Sequence, residues 1–311
     1  IDADKQGAIP PAVKKETFIK WDLDSFEACK LIPSQYFVVS KFYVRMDRIF
    51  HYLIVIWLIV INLGICGKPN DDLPICTICL QVLIGEYSLD AWENPFHSHH
   101  TNEGIFCHSC SRIISQGITQ GGVRYTDGRH LCSLCQASVV ESDSTIYSAY
   151  TSAIKQFRAV GIHNIPHYIP IILINLTELN LKCSQSHVDL KGFTYTAHKY
   201  NTQPNYTIFI LFGLPQIEFE AVLAHELLHV WLDQNKIRLS PKITEGFCNL
   251  GRHLIYRNNQ SYFSKIHLKA MDNSKNSTYG IEYRKMKNKL EQIGWKMLIS
   301  DLRNKIISNT N

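Results

Sequence analysis

No glycine-rich loop in this chain could cradle a phosphate, no serine sits in a nucleophile elbow, and no segment repeats. These absences argue against nucleotide-driven chemistry, serine-type hydrolysis and a solenoid. The helix-bearing C-x2-C…H-x3-H finger is missing too, so no nucleic-acid partner is expected. Charge of one sign is in modest excess, +5 over 311 residues. Much of it lies where Arg284, Lys285, Lys287 and Lys289 crowd together. That reads as a solvated helix face, with an acidic partner as the alternative.

What is present is more telling. His225-Glu226-Leu227-Leu228-His229 has the pattern H-E-x-x-H. Histidines four apart on a helix share one face and can grip one zinc ion, while Glu226 can take a proton from the water that the metal activates. A surface helix with idle histidines would carry the same five letters, so context decides. Tyr206–Phe212 is an apolar, β-branched run ended by Gly213 and Pro215, a strand and turn. Phe219, Val222, Leu223, Leu227, Val230 and Trp231 then recur at helical spacing. A third ligand is needed. Ser240-Pro241 opens a second helix, and Glu245 on its second turn can fold back to the histidines across the fifteen intervening residues. Asp233, one turn past His229, competes for the role but better suits a supporting or solvated carboxylate. For the oxyanion, His253, Tyr256 and Tyr279 are the candidates.

Six of the ten cysteines form pairs with two residues between: Cys76/Cys79, Cys107/Cys110 and Cys132/Cys135. Cys76, Cys79, His97 and His100 would close one tetrahedral zinc site, and Cys107, Cys110, Cys132 and Cys135 another. Sites with all four positions taken by protein hold structure and do no chemistry. Three disulfides are the competing reading, and His99 or His108 could replace a neighbouring ligand. In all, three zinc ions are expected, one catalytic and two structural.

The stretch from Cys76 to Cys135 resembles a LIM zinc-binding domain, except that six residues, rather than two, separate His100 from Cys107. Together with Gly121–Arg129, Leu211-Phe212-Gly213-Leu214-Pro215, the Ala224–Leu232 run and Glu245-Gly246-Phe247-Cys248, it resembles the LIM-containing latent metallopeptidases of plants that limit organ growth, and their bacterial relatives. The resemblance covers about residues 73 to 300. It implies a peptidase with His225 and His229 as zinc ligands and Glu226 as base. The chain shows no ubiquitin-interacting helix ahead of the LIM segment, so activation by ubiquitin is left out of that implication.

The expected fold is α+β: a small LIM-like double zinc-knuckle domain over 73–138, then a zincin-like, mainly helical metallopeptidase domain with a small sheet over 141–311. Ile146, Ala149, Tyr150, Ala153, Ile154 and Phe157 open the latter as an amphipathic helix; Ile169–Leu176 and Phe193–Ala197 read as strands. The knuckles should depend on metal, so Cys107→Ser should unfold that unit and leave the peptidase domain largely folded. Residues 1–49 form an N-terminal segment that lies upstream of a start if translation begins at Met46. Residues 50–66 run seventeen positions without Asp, Glu, Lys or Arg and read as a hydrophobic signal or membrane anchor. Lys41, Arg45 and Arg48 precede them and Asp71 and Asp72 follow, which would leave the zinc domains anchored or exported outside the cytoplasm. A buried helix in a cytoplasmic protein is the alternative, and six thiolates sit uneasily in an oxidising space.

The functional expectation is therefore a zinc peptidase acting on protein or peptide substrates, with the LIM-like unit for recognition, regulation or binding of a regulatory protein. A silent binding adaptor is one alternative, although Glu226 and all three ligands are intact. A zinc hydrolase of a small amide or ester is the other.

Overall fold

The computed structural model describes residues 13–15, 73–102, 104–183, 190–198, 204–276 and 280–308. Those residues form helices and small sheets, an α+β architecture as expected.

The cysteine-rich part has little to bury. One cluster gathers Cys76, Leu83, Tyr87, Phe96 and Ile113, and a second gathers Leu131 with Cys107, Cys110, Cys132 and Cys135. Two hairpins contribute Tyr87, Phe96, Leu131 and Cys132 to them: β2 (Tyr87–Leu89) with β3 (Pro95–His97), flanked by β1 (Val13–Lys15), and β4 (Gly122–Arg124) with β5 (His130–Cys132). Short helices α1 (Gln116–Thr119) and α2 (Ser133–Gln136) complete it. Asp90 ties the two halves together. Its buried carboxylate accepts from the backbone N–H groups of Trp92, Asn94 and Ile113.

From Ser142 a helical body begins. Ser142 and Thr145 form a capping box for α3 (Asp143–Ala159), which buries Ala149, Tyr150, Ala153 and Phe157 along one stripe. β6 (Ile171–Ile174) is shorter than the apolar run that announced it, because Asn175 and Glu178 cap a helix, α4 (Leu176–Lys182), at that point. β7 (Gly192–Ala197) runs antiparallel and β6 parallel to the central strand β8 (Asn205–Leu211). Helix α5 (Gln216–Gln234) is buried over most of its circumference, the mark of a core helix.

α6 (Pro241–Asn258) crosses α5 closely. A Cβ at Gly251 would lie 2.6 Å from the Ala224 carbonyl oxygen, so the absence of a side chain there permits the crossing. α6 starts at Pro241 after Ser240, as expected, although the Ser240 hydroxyl makes no capping bond. α7 (Tyr262–Asn273) and α8 (Glu282–Ser308, interrupted at Gly294) close the body, with Tyr283, Leu290, Leu298 and Leu302 in its core.

The expectation of a membrane-anchored or exported protein is corrected here. No helix among the described residues is long and apolar enough to cross a membrane. The most apolar of them, α5, carries Glu218, Glu220, Glu226 and Asp233, and it is buried by protein. The stretch 50–66 that carried the expectation lies outside the described residues.

Candidate metal centres and active site

β8 ends in a turn that feeds α5, and the helix brings His225 and His229 to one face. Their Nε2 atoms are 3.1 Å apart. The α5–α6 crossing returns Glu245 to them, with Oε2 3.2 Å from His225 Nε2 and Oε1 3.6 Å from His229 Nε2. One donor atom from each of the three lies within 4.8 Å of the others. A tetrahedral zinc with bonds near 2.0–2.1 Å separates its ligand atoms by about 3.4 Å, so this donor set fits the ion. Burial opposes ionisation of Glu245, yet the facing His229 and His225 outweigh it and hold the carboxyl below its ordinary range. Asp233 turns elsewhere: it accepts from the Tyr206 hydroxyl and from Arg238, each at 2.8 Å.

Asn249, one turn beyond Glu245, was missed by the sequence reading. Its Oδ1 lies 3.2 Å from His225 Nδ1. With Nδ1 protonated, His225 donates to Asn249 and presents a bare Nε2 to the site. The i, i+4 spacing on α6 was the available signal. Glu226 is buried, and its Oε2 accepts from Thr194 Oγ1 of β7 at 2.7 Å. Nothing local in the sequence linked those two residues.

Two thiols come near without joining the site. Burial, then the carboxylates of Glu226 and Glu245, push Cys183 up to about 12; the same effects push Cys248 well above the usual thiol range. Both stay neutral. The oxyanion candidates are placed less favourably. His253 Nδ1 is engaged with the Tyr283 hydroxyl at 2.9 Å, and Tyr256 stacks on His267. Tyr279 lies outside the described residues.

Both closed sets also assemble. Cys76, Cys79, His97 and His100 form one group and Cys107, Cys110, Cys132 and Cys135 the other, all with free thiols. The Cys110 and Cys132 sulfurs are 3.7 Å apart. A zinc tetrathiolate with bonds near 2.3 Å has an edge of about 3.8 Å, so the second set fits as well. Each sulfur there faces three others, and the thiols split: Cys107 and Cys132 are pulled below the ordinary value, Cys110 and Cys135 pushed above it. In the first set, burial of Cys76 is outweighed by N–H groups of Cys79, His97 and Ile78, which pull it down to about 6. His99 stacks on His97 and sits tilted against His100, outside the ligand group. His108 is buried away from it and pushed down to about 3, chiefly by burial and then by Lys191.

The cysteine-rich part grips the turn that launches α5. Arg129 Nη2 donates to the Phe212 carbonyl at 3.0 Å, and the Arg129–Asp127 ion pair is buried. Asp127 Oδ2 also accepts from the Leu176 N–H, and the Tyr125 and Phe212 rings meet edge to face at 4.7 Å. Val140 N–H donates to Leu214, and Gln216 N–H to Ser138. Two motifs noticed separately in the sequence, Gly121–Arg129 and Leu211–Pro215, are the two sides of one joint.

Residues 182–297, from the end of α4 into α8, match the family profile DA1-like, described as Protein DA1. Protein DA1-related 2 of Arabidopsis thaliana is 28% identical over 188 residues, 49% of this chain and 35% of its own length. Protein DA1 of the same plant is 24% identical over 192 residues, 51% of this chain and 35% of its own. The LIM domain-containing protein HDR3 of Oryza sativa subsp. japonica is 24% identical over 224 residues, 58% and 44%. The chain thus spans less than half the length of these curated relatives. No solved structure matches it. A relationship to the DA1 family is supported; these plant matches show no bacterial branch.

Proposed function

We propose that this DA1 relative is a zinc-dependent peptidase acting on protein substrates, with a LIM-like unit over 73–138 that serves recognition or regulation and a zincin-like peptidase unit over 141–311. His225, His229 and Glu245 would hold the catalytic ion; the two cysteine-rich groups would hold structural ions. The observation that carries the reading is the convergence of two imidazoles and one carboxylate from α5 and α6, with a second carboxylate, Glu226, held beside them by a different element.

When bound, zinc polarises the scissile carbonyl and lowers the pKa of its water to about 7. Glu226 accepts the proton of the attacking water and returns it to the leaving amine. Asn249 keeps His225 in the tautomer that exposes Nε2. Burial of Glu226 and His225 keeps bulk water from competing for their hydrogen bonds. Among the described residues β7 is an edge strand of its sheet and runs past Glu226, so an extended peptide can add to its outer side, which favours a protein substrate over a small amide. The LIM domain named in the rice relative suits a protein partner for the cysteine-rich part.

Cleavage of labelled, denatured casein, followed together with zinc per chain, tests the reading. Glu226→Gln should keep its zinc and lose nearly all hydrolysis, and His229→Ala should lose both. Undiminished cleavage by Glu226→Gln would sink it.

A further inference from the structure

We propose that Thr194 and Gly192 of β7 position Glu226 as a base and keep it out of the metal's ligand set, an inference that rests on the peptidase reading above. Glu226 adjoins a ligand in sequence, and a carboxylate so close to a cation is drawn towards it. Yet the convergent group contains His225, His229 and Glu245, and Glu226 stands outside it. One residue past His225, its stem leaves α5 about 100° round from that ligand, and the groups that fix the carboxylate at the end of that stem come from β7. The Thr194 hydroxyl lies 2.7 Å from Glu226 Oε2 and 3.3 Å from the Glu226 carbonyl. It has one proton to give, and the shorter, charge-assisted bond to the carboxylate takes it.

The strand makes this anchor stiff. Thr194 is β-branched, with restricted χ1, and β7 is paired to β8 over its whole length. Alternation places Gly192 on the same face as Thr194. A Cβ at Gly192 would fall 2.6 Å from Glu226 Oε1 and 2.8 Å from Val222 Cγ1. One carboxylate oxygen is therefore anchored by Thr194, and the other has its space because residue 192 has no side chain.

Acetohydroxamate gives a readout separate from turnover, because on binding a catalytic zinc it leaves its proton on the neighbouring base. It is titrated calorimetrically into zinc-loaded wild type, Thr194→Val, Thr194→Ser, Gly192→Ala and Glu226→Gln, with zinc per chain measured for each. Thr194→Val and Gly192→Ala should bind it roughly 10-fold more weakly, with Glu226→Gln at least as weak and Thr194→Ser restored to near wild type. On labelled, denatured casein, Thr194→Val should lower kcat roughly 10- to 100-fold and leave KM nearly unchanged, since it removes the hydroxyl that holds the base and leaves in place the β7 backbone groups on which a peptide would pair. Wild-type hydroxamate affinity in zinc-replete Thr194→Val, or no recovery in Thr194→Ser, would overturn this inference alone. Absence of zinc from the His225–His229–Glu245 group in wild type would overturn the peptidase reading and this inference with it.

Discussion

Asn249 shows how much a single side chain contributes to the centre without touching a metal. It fixes one ring nitrogen of His225 and thereby the direction of the other. Asn249→Ala should weaken zinc retention roughly 10- to 100-fold, measured by competition with a chelator, while the circular dichroism of the helical body stays unchanged. Asn249→Asp, which keeps the acceptor, should come close to wild type. Retention of zinc by Asn249→Ala at the wild-type level would show that the packing of α5 orients His225 unaided.

The crossing of α5 and α6 is what lets Glu245 meet the histidines, and at Gly251 there is no room for a side chain against the Ala224 carbonyl. Gly251→Val would force the helices apart. It should destabilise the protein by about 1–3 kcal/mol in urea titration and lower zinc bound at His225, His229 and Glu245, through overpacking. α6 and α7 set a pH dependence. Burial depresses His253 and His267 to about 4. An unfolded imidazole takes its proton near pH 6.5, so between about 6.5 and 4 the unfolded chain binds more protons and stability falls as pH falls. Urea midpoints measured from pH 7 to pH 5 should decline, and His267→Phe, packed between Tyr256 and Phe263, should flatten part of that decline.

Across the whole molecule, the part built round the second cysteine group and the helical body form one joint. The buried Arg129–Asp127 pair and the strand-like bonds from Ser138 and Val140 hold Phe212–Gln216 at the start of α5. Arg129→Met would leave Asp127 buried without its cation and should cost about 3–5 kcal/mol. The sequence alone suggested that Cys107→Ser would spare the peptidase part. With this joint in place, Cys107→Ser should lower the thermal stability of the helical body as well, and hydrogen exchange in α5 should rise. Unchanged α5 protection would restore the picture of two independent units.

Local chemistry made much of this legible in advance. The spacing of His225 and His229, the strand before them, the helix start at Ser240-Pro241 and the three cysteine pairs follow from helical periodicity, turn residues and ligand spacing, and all were readable in order along the chain. Helix geometry also favours Glu245 over Asp233, and the helix crossing brings Glu245 to the histidines. The Thr194–Glu226 bond, the Gly192 clearance and the Arg129–Phe212 joint link residues 32, 34 and 83 positions apart, and no periodicity encodes such contacts. They arise because β7 pairs with β8 over α5 and because the knuckle docks on the turn between β8 and α5. Chain folding sets those distances, so only the packed structure could reveal what holds the Glu226 carboxylate in place.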